Sequence, residues 1–218
     1  MSLDLDALCI QSATGSALFV PLTLHVPAGG VVTVMGPSGV GKSTLLDGIG
    51  GQLAHGFRLS GRVVLNGRDV THLPAEARRI GLMFQDALLF PHLSLGDNLA
   101  FGLPLALRGR AARRTAVEAA LDQSGLAELH DRDPATLSGG QRARAALMRS
   151  LLAAPEALLL DEPFSKLDAR LRDEMRRFAF AHVKSRAIPT LMVTHDPEDA
   201  AAAGGEVVEL RGGSLNET

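Results

Sequence analysis

Two short Gly-rich stretches of this chain have the residue types and spacing to grip phosphate. Residues 36–43 read Gly-Pro-Ser-Gly-Val-Gly-Lys-Ser, a complete G-x-x-x-x-G-K-[ST] pattern. Its glycines permit a nest of backbone N–H donors, Lys42 can reach the β- and γ-phosphates, and the Ser43 hydroxyl can ligate Mg²⁺. Gly36, Pro37, Ser38, Gly39, Val40, Gly41, Lys42, Ser43 and the following Thr44 are therefore the expected nucleotide cradle. The second stretch is Leu137-Ser138-Gly139-Gly140-Gln141. A Ser before glycines can cap a helix, and bare glycines let N–H groups approach an anion at the positive helix end. One nucleotide does not need two such loops from one chain. Two copies sharing each nucleotide, in an ATP-driven dimer, are the expectation.

Acids and amides stand where a strand would end beside that cradle. Ala157-Leu158-Leu159-Leu160-Asp161-Glu162 is an apolar strand closing on two carboxylates, and ligands of open α/β sheets bind at the carboxyl ends of strands. Asp161 suits a contact to Mg²⁺, and Glu162 suits the general base that polarises an attacking water. Gln85 follows the strand Ile80 to Phe84, where its amide could touch Mg²⁺ or orient water. His195 follows the strand Thr190 to Val193 and could donate to a γ-phosphate, or simply cap or pack. Asp168 opens a helix, for which an N-cap is a sufficient explanation.

The elements that must position these groups alternate. Short apolar runs at Val31 to Met35, Ile80 to Phe84, Ala157 to Leu160, Thr190 to Val193 and Val207 to Leu210 suit a sheet covered on both faces. Helical patterns fall between them at Lys42 to Ile49, Arg113 to Ser124, Gly140 to Ala153 and Asp168 to Ser185. That order predicts an α/β core with a mainly parallel sheet. Arg62 to Leu65, Asn66-Gly67 and Arg68 to Val70 form a hairpin pattern, hence a small antiparallel part. From about Asp86 to Leu137 there is no strand pattern, which predicts an inserted helical subdomain.

Bulk properties exclude several classes. The 218 residues suffice for one substantial core. A formal charge of −2 offers no footprint for nucleic acid. Cys9 is alone, which precludes an intramolecular disulfide and fits a reducing compartment. No apolar run approaches the roughly 20 residues that span a bilayer, and Asp4 and Asp6 are wrong for a signal peptide. A cytoplasmic protein is expected, with any membrane role coming through a partner. Arg108, Arg110, Arg113 and Arg114 form a basic cluster that suits a solvated face, lipid or a protein partner.

In their order, the phosphate loop, Gln85, LSGGQ, the acidic strand, Ser165 to Asp168 and His195 resemble the nucleotide-binding subunit of an ATP-binding cassette (ABC) transporter. The resemblance covers nearly the whole chain. It implies a P-loop NTPase fold as a single domain over 1–218, with a helical subdomain over about 86–150 that contains LSGGQ. It also implies ATP and Mg²⁺ as cofactors, with hydrolysis driving a head-to-tail dimer. Ser138, Gly139, Gly140 and Gln141 of one copy would then face the nucleotide of the other. Gln85, Asp168 and His195 become functional positions on this ground. The stretch FQDALLFPHLSLGDNLAF, residues 84–101, is similar to separately encoded bacterial importer subunits, in which it receives a coupling helix of a membrane permease. The implied partners are a second copy, the permease and, through it, a solute-binding protein, with the chain peripheral on the inner membrane face. A soluble non-transport ABC ATPase and a P-loop small-molecule kinase are the alternatives.

Three departures from that family stand out. No aromatic residue occurs at Ala13 to Ser16, where the family usually stacks adenine, and the chain has neither Tyr nor Trp. Phe19 is the nearby substitute, although it suits a core strand better. Lys166 is bulkier and more basic than the family's usual residue in its loop. The sequence given also ends soon after His195, so the regulatory extension of some importer subunits is not expected.

Overall fold

A computed structural model describes residues 1–213 and divides them into two compact units. The first comprises Met1–Leu82, Glu156–Glu162 and the described chain from His182. Its centre is a five-stranded sheet of β3 (Val31–Met35), β6 (Ile80–Met83), β7 (Ala157–Asp161), β8 (Thr190–Val193) and β9 (Val207–Glu209). The order is β6-β7-β8-β3-β9, with β7–β8, β8–β3 and β3–β9 parallel. Central strands of such a sheet lack a solvent face, which explains their unbroken apolar runs. Every residue of β8 is buried, as are the first four of β3 and of β7. Helix α1 (Lys42–Gly50) contributes Leu45, Leu46 and Ile49 to this core.

A second, four-stranded sheet carries β1 (Ser2–Ser12), β2 (Leu22–Pro27), β4 (Phe57–Leu65) and β5 (Arg68–Asp69) in the order β2-β1-β4-β5. The Asn66-Gly67 turn has both residues at positive φ, 54° and 78°, the conformation a two-residue hairpin requires. The sequence pattern shows this hairpin but not β1. In β1 the fully buried residues are Leu3 and Leu5, then Leu8 and Ile10, so the alternation slips by one. The cause is a bulge at Ala7, φ 46°, where the register shifts against both neighbours. Gly61 faces it, and a Cβ there would stand 2.4 Å from the Ala7 carbonyl oxygen.

The second unit, Met83–Pro155 with Pro163–Ala181, contains α3 (Leu95–Phe101), α4 (Arg110–Gln123), α5 (Gly139–Leu152) and most of α6 (Ala169–Ser185). It holds the expected helical stretch and also residues after the acidic strand. Helix α5 is buried over most of its circumference, through Ala143, Ala145, Ala146, Leu147, Met148 and Leu151. Arg144 on α5 binds Glu174 on α6 at 2.9 Å. Asn98, fully buried on α3, ties the preceding loop through Phe90 N and O, Leu93 O and Ser94 O. Two short helices, α2 (Ala75–Arg78) and α7 (Pro197–Ala203), belong to the first unit.

Candidate functional site

In the first unit β3 delivers the chain into the phosphate loop and α1 leaves it. Gly39 and Gly41 sit at φ 82° and 102°, left-handed conformations open to glycine that turn N–H groups to a common side. Leu45 N–H closes the first helical turn on Gly41 O at 2.8 Å, and amides ahead of it have no intrahelical acceptor. Lys42, buried, holds its ammonium on the loop carbonyls of Gly36 (2.9 Å) and Pro37 (3.1 Å). A cleft of about 280 Å³ is lined by Ser38, Gly39, Lys42, Ser43, Thr44 and Glu162. Its donors are amides, hydroxyls and one ammonium, a set suited to a polyphosphate.

Two acids close this cleft from the sheet. Asp161 Oδ1 accepts from Ser43 Oγ at 3.2 Å. Burial chiefly pushes the Asp161 carboxyl above its usual range; the Ser43 hydroxyl opposes this and the Glu162 charge reinforces it. Glu162 turns the strand end at φ 42°, an uncommon conformation for a residue with a side chain, while its N–H bonds Val193 O at 2.9 Å. His195 Nδ1 and Glu162 Oε1 are 3.0 Å apart. The turn that carries His195 is locked by Thr194, whose hydroxyl donates to buried Asp199 (3.0 Å) and accepts from Asp196 N–H (3.1 Å). Phosphate loop, Asp161, Glu162 and His195 thus come together in one unit.

Gln85, Asp168 and residues 138–141 belong to the other unit. Gln85 Nε2 donates to Ser165 Oγ at 3.3 Å, and the neighbouring Asp86 forms an ion pair with Lys166. Asp168 Oδ1 accepts from Leu171 N–H at 3.0 Å, the geometry of a cap on α6. Ser138 is the N-cap of α5 in a complete capping box. Its Oγ accepts from Gln141 N–H (3.2 Å), and Gln141 Oε1 accepts from Ser138 N–H (2.9 Å). A Cβ on Gly140 would lie 3.0 Å from Leu171 Cδ2, a tight contact that the Leu171 side chain would have to give way to.

One residue of the site's scaffold carries no signal in the sequence. Arg78, buried and without an acidic partner in its cage, donates to Gly48 O (2.9 Å), Ile49 O (2.7 Å), Thr71 O (2.7 Å) and Leu73 O (2.8 Å). Desolvation draws its pKa down. A cation there satisfies the negative end of α1, whose other end is the phosphate loop. In the run Glu76-Ala77-Arg78-Arg79 nothing separates it from an exposed charge. Phe19 is fully buried in the core, with no face open to a nucleotide base.

The ABC transporter family model matches residues 19–165, which contain the phosphate loop, Gln85, LSGGQ and the acidic strand. The chain belongs to the ABC transporter family. Within it the chain is an ATP-binding subunit, and such subunits are ATPases. Similar relatives agree. It is 50% identical over 199 residues to an uncharacterized ABC transporter ATP-binding protein, YnjD of Escherichia coli K12, covering 89% of this chain and 91% of that one. It is 43% identical over 200 residues to the sulfate/thiosulfate import ATP-binding protein CysA of Salmonella typhi, covering 90% and 54%. It is 39% identical over 207 residues to the Fe(3+) ions import ATP-binding protein FbpC of Rhizobium etli, covering 94% and 58%. The chain therefore spans little more than half of the named importer subunits. No helix among the described residues is long and apolar enough to cross a membrane.

Proposed function

We propose that this ABC ATPase powers an importer: ATP closes a head-to-tail dimer of two copies on the inner membrane face, and that closure moves a permease. The observation that carries hydrolysis is the Glu162–His195 pair at 3.0 Å in the cleft of the phosphate loop. Glu162 holds the position of the general base, with His195 orienting it and presenting its other nitrogen for a phosphate oxygen. Lys42 would exchange its loop carbonyls for phosphate oxygens. Ser43 and Asp161 offer Mg²⁺ a hydroxyl and a carboxylate, hard donors of the kind it takes alongside substrate phosphates. Mg²⁺ bound there would neutralise charge developing on the phosphates. It would also relieve the burial cost that Asp161 carries as an anion.

Gln85 is assigned to Mg²⁺ and water orientation, and Asp168 to the dimer interface. Ser138, Gly139, Gly140 and Gln141 are assigned to the partner copy's nucleotide, reached at the positive end of α5. The importer direction rests on relatives named as import ATP-binding proteins. A permease, and through it a solute-binding protein, complete the assembly over a single cassette domain. The test is co-expression with a candidate permease and purification of the complex. ATP hydrolysis should rise when the complex receives its loaded binding protein. A chain that hydrolyses ATP at full rate and holds no permease would point to a non-transport ABC ATPase, and phosphate transfer to a small molecule would point to a kinase.

A further inference from the structure

Two consecutive side chains of the Gln85 loop reach two consecutive side chains 80 positions away in the same unit. Gln85 Nε2 donates to Ser165 Oγ at 3.3 Å, and the Asp86 carboxylate pairs with the Lys166 ammonium. We propose that Lys166 is a positioning residue for ATP hydrolysis: through Asp86 it holds the Gln85 amide in its working place, which rests on the role assigned to Gln85 above.

The two loops are unequal, and the inequality decides which positions which. The 163–168 segment is anchored in apolar packing. Pro163 and Leu167 are buried, and Phe164 is fully buried with its ring edge-on to Phe180, centroids 5.8 Å apart. Leu167 N–H closes a turn on Phe164 O at 3.1 Å, and Arg172 donates to Leu167 O at 3.2 Å. Ser165 and Lys166 therefore stand between two buried anchors, with Asp168 capping α6 just beyond.

The Gln85 loop has no such footing. After buried Met83, the residues Phe84, Gln85 and Asp86 are all exposed. Arg149 takes hold of the loop only at Leu88 O (2.6 Å), and Asn98 at Phe90. In the stretch between, the contacts to Ser165 and Lys166 tie a soft segment to a fixed one. The Gln85 bond is at the long end for an N–H donor and is neutral, so alone it restrains the amide weakly. The charged pair on the next residue adds a second point of attachment, and two adjacent points set direction as well as distance. An amide that must meet a metal or a water tolerates little displacement. The pair also gives a use to Lys166, whose bulk and charge set it apart from the family's usual residue. Its two ends are 54% and 63% exposed, so the tie is modest and can be cut without disturbing the packing beneath.

The test is turnover by the purified full chain with saturating Mg²⁺ over a range of ATP concentrations. Lys166→Met and Asp86→Asn should each lower kcat about two- to fivefold, the worth of an exposed ion pair, with KM for ATP unchanged. The exchanged pair Asp86→Lys/Lys166→Asp should return kcat to within about twofold of wild type. Gln85→Ala should lower kcat about tenfold. Adding Lys166→Met to Gln85→Ala should cost nothing further, because the lysine acts through the glutamine. Hydrogen exchange at the Leu88 amide, bonded to Asp86 O at 2.8 Å, should quicken about twofold or more in Lys166→Met and recover in the exchanged pair. A rise in KM with Lys166→Met that Asp86→Asn does not share would make the lysine a nucleotide contact and overturn the proposal. So would a full Lys166→Met effect in the Gln85→Ala background, or an exchanged pair no better than the single variants. If Gln85→Ala slows turnover and Lys166→Met does not, the proposal alone falls. If Gln85→Ala keeps the wild-type rate, the role of Gln85 fails first and the proposal falls with it.

Discussion

The two helix starts that look alike in sequence, at Lys42 and at Gly139, are built differently. The first is open. Gly39 and Gly41 hold left-handed φ, and Lys42 rests on two loop carbonyls that a phosphate could replace. The second is closed on itself. Ser138 and Gln141 satisfy each other through the capping box, and neither Gly139 nor Gly140 has positive φ among the described residues. A loop of the first kind binds a polyphosphate alone. One of the second kind supplies a helix dipole and a few close amides, too little for affinity without another site across from it. The difference is what the proposed sharing of a site between copies requires: one half would bind, and the other would sense.

The sharpest way to break this contrast is to disable chemistry and leave binding intact. Glu162→Gln should lower ATP turnover by about 10²–10⁴-fold, the usual worth of a general base, with ATP affinity preserved. Phosphate release and calorimetric titration measure the two quantities. Turnover at the wild-type rate would move the base elsewhere, and loss of affinity would make Glu162 a binding residue. Next in size is Lys42→Ala. Charge-assisted bonds to phosphate contribute about 1.5–3 kcal/mol, so affinity for ATP should fall about 10- to 100-fold in the isolated chain.

Ser138→Ala probes the closed half. Loss of the cap should cost about 1 kcal/mol, seen as a lower melting temperature of the chain. ATP affinity of the isolated chain should stay unchanged while turnover drops about tenfold. Equal loss of ATP affinity in Lys42→Ala and Ser138→Ala would erase the distinction between the two loops.

These differences were only partly legible in the sequence. The parallel strands were plain because burial on both faces leaves an unbroken apolar run, as in Leu158-Leu159-Leu160. The Asn66-Gly67 turn was plain because two successive positive φ values select those residues. Strand β1 was hidden by its own bulge, which shifts the apolar face between Leu5 and Leu8. The pairing of Glu162 with His195 spans 33 positions and depends on β7 lying next to β8, a long-range fact that local pattern does not hold. Arg78 was hidden for a related reason. Its cage is made of main-chain oxygens, and carbonyls have no sequence.

The smallest effect expected concerns the base rather than the phosphates, and it tests how much of the open loop's affinity is polyphosphate alone. Stacking a base on an aromatic ring contributes about 1–3 kcal/mol. Residues 13–16 are Ala, Thr, Gly and Ser, and Phe19 has its ring fully buried in the core. With no aromatic ring at residues 13–16 and that of Phe19 buried, adenine and guanine should differ little to this chain. Dissociation constants for ATP and GTP should agree within about threefold by fluorescence competition, the margin left by a few stray polar contacts. Ala13→Tyr, which restores an aromatic ring to that segment, should then tighten ATP by about fivefold or more, the low end of a stacking contact. A wild-type preference for ATP above about tenfold would mean that a group other than an aromatic ring reads the base. The phosphate loop would then be only part of what makes the first half of the site self-sufficient.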